Sequence, residues 1–89
     1  MTPEERLQKF SERLNGQGKL RISRRAVPHV VVDLLHAKAS VAYFHKGSFY
    51  RVFFPYGVFG KQKKWSFKEE DKVLEKLREL WYEEGTYES

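Results

Sequence analysis

The 89-residue chain predicts a single α+β domain: a small antiparallel sheet of three to four strands, with an N-terminal helix, a middle segment readable as a helix, and a C-terminal helix packed on one sheet face. Three observations predict it. Helical periodicity occurs at both ends of the sequence, around Leu7 and around Leu77. Between them, two β-rich runs meet at a glycine turn. A chain of this size buries only roughly 60–65% of the surface it exposes unfolded, which leaves room for one modest core and no second domain.

Thr2-Pro3-Glu4-Glu5 supplies a capping threonine, a proline at the first helical position and a reciprocal glutamate at the third. Leu7, Phe10 and Leu14 follow at helical spacing, and Asn15-Gly16 supplies a stop. From Lys19 to Ser23 the pattern alternates, with Leu20 and Ile22 on one side and Lys19, Arg21 and Ser23 on the other, as in a half-buried strand with a basic outer face. Residues 28–38 fit two states. Val30, Val31, Leu34 and Leu35 make an apolar helical face that Pro28 could begin, whereas three successive valines favour a strand. The helical state is the expectation here, and it would bring His29, Asp33 and His36 together on a polar face.

Ser40 to Tyr56 reads as a hairpin turning at His45-Lys46-Gly47-Ser48, with Gly47 free to take a positive φ. A two-residue turn at Lys46-Gly47 pairs Phe44 with Phe49, Tyr43 with Tyr50, Ala42 with Arg51 and Val41 with Val52. One face then carries Val41, Tyr43, Tyr50, Val52, Phe54 and Tyr56, and the other Ala42, Phe44, Phe49, Arg51 and Phe53. Pro55, Gly57 and Gly60 bound a loop leading to Lys61-Gln62-Lys63-Lys64 and a further strand through Trp65 and Phe67. Ser66 and Glu69 form a capping-box pattern for the last helix, whose inward stripe is Val73, Leu74, Leu77, Leu80 and Trp81, with Gly85 as its expected end.

Composition removes several function classes. Without cysteine there is neither a disulfide framework nor a thiolate metal site, and the expectation is a cytoplasmic protein without a cofactor. The longest aliphatic run, Val30-Val31-Val32, is far short of the ~20 residues a membrane-spanning helix needs, and the N-terminus is acidic and polar rather than signal-like. Net charge is +5, unevenly spread: residues 19–68 carry eleven Lys and Arg against Asp33 alone, while the flanks hold six basic and eleven acidic side chains. A positive middle between acidic-leaning ends suits a polyanionic partner. Plentiful Lys and Glu with little Asn is compatible with a thermophile.

Ten of the fourteen aromatic residues lie between Tyr43 and Phe67, interleaved with Lys46, Arg51, Lys61, Lys63 and Lys64. Helices can cover only one face of a small sheet, and both faces here are aromatic. Rings beside cations suit an unpaired nucleic-acid strand, since each base offers a π face worth ~1–3 kcal/mol in stacking and the cations neutralise the phosphates. A duplex offers no unstacked base face without distortion. The expected partner is single-stranded DNA or RNA, and the candidate binding residues are Arg21, Phe44, Lys46, Phe49, Arg51, Phe53, Phe59, Lys61, Lys63, Lys64 and Trp65. Core packing is the competing role for the rings, and simple solvation for the lysines.

Phe54-Pro55-Tyr56-Gly57-Val58-Phe59-Gly60-Lys61-Gln62-Lys63-Lys64-Trp65-Ser66-Phe67, with the mixed-charge helix that follows, resembles the ThermoDBP-related archaeal single-stranded-DNA-binding proteins. The resemblance covers the last half of the chain, mainly residues 54–81. It implies an aromatic-lined basic cleft that takes single strands without sequence preference, and it implies no catalytic residue. Longer members append a dimerising helix, whereas this chain stops soon after Gly85, so a homodimer stays open.

Enzymatic function is not expected. The positive segment holds one carboxylate where two-metal nucleases need several, and the His29, Asp33 and His36 cluster exists only in the helical state. Two other functions remain open. An arm-type or AP2-like duplex-DNA module would also place strands before a helix, although its exposed sheet face should be polar and arginine-rich. A protein-interaction or inhibitor domain would use the same rings as an interface.

Overall fold

The computed structural model of the chain describes residues 2–57, 60 and 62–84. Helix α1 (Pro3–Glu12) precedes five strands, β1 (Gly18–Arg21), β2 (His29–Asp33), β3 (Lys38–Phe44), β4 (Phe49–Phe54) and β5 (Lys63–Phe67), and helix α2 (Glu70–Leu80) follows. The strands form one sheet in sequential order, antiparallel at every step. The α+β class is as the sequence predicts, with five strands rather than three or four and two helices rather than three.

Helix α1 begins as its first four residues dictate. The Glu5 amide donates to Thr2 Oγ1 at 3.2 Å, and the Thr2 amide donates to Glu5 Oε1 at 3.3 Å. The Thr2 amide and hydroxyl, both donating to its carboxylate, hold the Glu5 pKa below its usual range. Residues 28–38 are not a helix. They form β2, a turn closed by the Leu34 amide on the Ala37 carbonyl at 2.8 Å, and the start of β3. Inner position explains the outcome: β2 is hydrogen-bonded on both sides, and Val30, Val31 and Val32 are all buried. Spread along a strand, His29, Asp33 and His36 no longer share one helical face.

The central hairpin has the expected register, Phe44 opposite Phe49 through Val41 opposite Val52. Its turn differs in one respect. Ser48, not Gly47, takes the left-handed conformation, at φ 51°. Gly47 is required for space, since a Cβ there would run into the Phe49 ring.

Both helices pack on the same face. Leu7, Phe10 and Leu14 from α1 and Val73, Leu77 and Leu80 from α2 share one cluster with Val30, Val32, Ala39, Val41, Tyr50, Val52 and Phe54. An ionic seam joins the helices: Arg13 pairs with Glu70 at 2.7 Å and Asp71 at 3.1 Å, and the Tyr50 hydroxyl donates to Glu70 Oε2 at 3.1 Å. Three expectations fail locally. Ile22 lies beyond β1 and is 69% exposed, so it is not a core residue. The Ser66–Glu69 capping box does not form, because Ser66 is still in β5 and its Oγ accepts from Arg51 Nε; Glu69 caps α2 without a side-chain bond. Tyr56 leaves the helix-side face, because β4 ends at Phe54 and the alternation ends with it. The expected end at Gly85 lies outside the described residues.

Candidate nucleic-acid interface

Strand alternation decides which side chains share the helix-free face, and the observed registers let that face be read row by row. One row runs Lys19, Val31, Ser40, Phe53, Lys64 across all five strands. The next runs Arg21, His29, Ala42, Arg51, Ser66, and beyond it Phe44 faces Phe49. Toward the opposite end, Asp33 faces Lys38, with Oδ1 and Nζ 3.7 Å apart. Among these residues five cations stand against one carboxylate.

The geometry at the hairpin end is that of a paved surface. The Phe44 and Phe49 rings stack with centroids 5.2 Å apart and planes 21° from parallel. Arg51 spreads its guanidinium over both, 5.2 Å from the Phe44 centroid and 5.1 Å from that of Phe49, and Nε donates to Ser66 Oγ at 3.2 Å. Such a guanidinium is weakly hydrated and held flat, ready to stack or to donate to an anion with its remaining N–H groups. Phe53 lies two residues along β4, about 7 Å from Arg51 by strand rise, half-buried between Ser40 and Lys64.

Large side chains close over small ones in the middle of this face. Ala42 is only 1% exposed although no helix covers it. Tyr56 joins this face: its amide donates to the Lys38 carbonyl at 2.7 Å and its ring lies 5.6 Å from that of His29, the cross-strand neighbour of Ala42. His29 Nδ1 donates to the Val27 carbonyl at 3.0 Å, which leaves Nε2 to accept from the Tyr56 hydroxyl at 3.4 Å. No spacing rule in the sequence links His29 to Tyr56; their contact follows from the five-strand register and the turn after Phe54.

The predicted residues therefore divide. Arg21, Phe44, Phe49, Arg51, Phe53 and Lys64 come together on the helix-free face, and Lys46 sits exposed at the hairpin tip beside them. Lys63 and Trp65 point to the helix side, opposite Phe54 and Val52. There the Trp65 ring packs against the core with Lys76 Nζ 4.3 Å from its centroid, and the two share a groove with Glu79 and Leu80. Phe59 and Lys61 lie outside the described residues. Lys19, Lys38, His29 and Tyr56 join the face without having been singled out; Lys19 was legible as an outward β1 position, whereas Lys38 was hidden by the helical expectation.

A cavity of about 430 Å³ opens between the two helices, floored by Leu14, Val32, Leu74, Leu77 and Trp81. Its Arg13 is already engaged by two carboxylates, and Arg13 is held charged above its ordinary range by Glu70 and Asp71. Among the described residues no cluster of three or more His, Asp or Glu could hold a metal ion, and no helix is long and apolar enough to cross a membrane. No family model, curated protein or solved structure matches the chain.

Proposed function

We propose that the chain binds single-stranded nucleic acid on the helix-free face of its sheet, by base stacking on Phe44, Phe49 and Phe53 with phosphate contacts from Arg21, Lys46, Arg51 and Lys64. The observation that carries this reading is that the described residues of the helix-free face set Phe44, Phe49 and Phe53 beside Lys19, Arg21, Lys38, Arg51 and Lys64, with Asp33 the one carboxylate among them. The helices on the other side hold seven carboxylates against five cations.

Stacking is tolerant of base identity because every base has a π face, so little sequence preference is expected. Flat groups recur along β4 at every second residue, Phe49, Arg51 and Phe53, a spacing of about 7 Å that suits successive bases of an extended strand. A duplex-reading sheet would need donors and acceptors aimed at base edges, and three phenylalanines supply none. The proposed role is binding rather than catalysis.

Anisotropy titrations of labelled single-stranded and duplex oligonucleotides at several salt concentrations test the proposal. Single-strand affinity should fall with a log–log slope of about 0.7 per phosphate contact, with the duplex bound far more weakly. Preference for the duplex, or no binding to either, would overturn it.

A further inference from the structure

The loop between β1 and β2, residues 22–28, is the largest exposed feature that the sheet-face reading does not use. It carries Arg24 and Arg25, both exposed and neither ion-paired among the described residues, and two exposed aliphatics, Ile22 at 69% and Val27 at 54%. No acidic residue occurs from Gly18 to Val32. The loop thus offers cationic and apolar contact area side by side.

Geometry ties this loop to the open face. Pairing of β2 with β3 ends at His29 opposite Ala42, and the next pair along the same face of the β3–β4 hairpin is Phe44 with Phe49. The loop therefore leaves the sheet at the end that carries those stacked rings. His29, itself on the open face, holds the Val27 carbonyl through Nδ1 at 3.0 Å. The loop tip is turned by the Ser23 hydroxyl, which accepts from the Arg25 amide at 3.1 Å and keeps both arginines at the apex.

We propose that the β1–β2 loop is a second arm of the nucleic-acid interface, in which Arg24 and Arg25 hold phosphates while Ile22 and Val27 pack on a base or sugar of the strand crossing the Phe44–Phe49 row. It rests on the single-strand reading above. A nucleic-acid strand is the partner favoured because the loop lies at the end of the sheet that carries stacked rings and a guanidinium, which a base can engage and an anionic lipid headgroup cannot.

The test uses the full chain with labelled oligothymidylate across a salt series. Replacing both loop arginines (Arg24→Ala with Arg25→Ala) should lower the salt slope by about 1.4, two contacts at ~0.7 each. The pair Ile22→Ser with Val27→Ser should weaken binding several-fold at every salt concentration and leave the slope unchanged. Circular dichroism and the melting temperature should match wild type, since all four side chains are exposed. If both double variants bind like wild type while Phe53→Ala weakens binding, the loop arm is refuted and the sheet platform stands. If wild type binds no single strand, both fall. If the loop variants instead lose binding to phosphatidylserine vesicles and keep oligothymidylate affinity, the loop serves a membrane surface and the proposal is overturned.

Discussion

Val52 and Phe53 are neighbours in β4 that point to opposite faces, so truncating each should injure a different property. Val52 is fully buried between Val41 and Trp65 in the helix-side cluster. Val52→Ala removes two methyl groups from a packed site, at ~0.8 kcal/mol each plus a cavity contribution, or about 1.5–3 kcal/mol in all. For a domain of this size each kcal/mol moves the melting temperature by about 4–8 °C, so a fall of roughly 6–24 °C is expected. Strand affinity measured below the transition should stay within about twofold of wild type. Phe53 is half-buried on the open face between Ser40 and Lys64. If it stacks on a base, Phe53→Ala forfeits ~1–3 kcal/mol of binding, a loss of about 5- to 150-fold in Kd, with a smaller melting shift than Val52→Ala. Thermal melts by circular dichroism and anisotropy at fixed salt read the two quantities independently. Equal destabilisation by both substitutions, with strand affinity untouched by either, would refute the reasoning: the helix-free face would then be a second core, closed by another protein surface.

Lys63 and Lys64 offer a parity test without truncating a ring. Lys64→Glu should weaken single-strand binding and reduce its salt slope by about 0.7 or more, while Lys63→Glu, on the helix side, should change neither beyond twofold. Thr2→Ala removes the hydroxyl that accepts from the Glu5 amide and donates to Glu5 Oε1, and should cost about 1 kcal/mol, seen as a lower urea midpoint with unchanged m-value. Burial raises the Tyr50 pKa, while the positive charge of the nearby Arg6 guanidinium opposes the rise. Since a raised phenol pKa stabilises the fold only while the unfolded tyrosine stays protonated, stability should be intact below the ordinary tyrosine value near ~10 and decline as pH rises through the folded value. Alkaline melts of wild type and Tyr50→Phe compare this; the phenylalanine variant should lack that component of the slope.

The local signals that survived folding were those in which one stretch of chain decides its own state. Thr2 to Glu5 fixes a helix start by bonds within four residues, and the Phe44–Phe49 pairing follows from alternation on either side of a glycine turn. The middle segment was misread because its state is a tertiary matter. Val30 and Val31 fit a helical face with Leu34 and Leu35 in isolation, and only the flanking pairs with Lys19 to Leu20 and Ser40 to Val41 make them part of an inner strand. Once β2 exists, the sheet has five strands, and Arg21 becomes a member of the same row as Arg51 rather than part of a separate ribbon. The sidedness of Trp65 and Lys63 was equally out of reach, since it depends on how β5 registers against β4. Ser66 shows the competition most directly: the same hydroxyl could cap α2 or receive Arg51, and the extra strand residue Phe67 awards it to the arginine.

Because both helices lie on one side of the sheet, charge is unequally shared between the two layers. The helices hold Glu4, Glu5, Glu12, Glu70, Asp71, Glu75 and Glu79 against Arg6, Lys9, Lys72, Lys76 and Arg78, close to balance, whereas the sheet side and its loops hold Lys19, Arg21, Arg24, Arg25, Lys38, Lys46, Arg51 and Lys64 against Asp33. In the field of a polyanion such a body turns before it touches, so the productive orientation is selected during diffusion and the encounter rate, more than the dissociation rate, carries the sensitivity to salt. In the proposed complex the near-neutral helix layer would face outward, so the bound polymer would be covered by a surface with little attraction for a second strand.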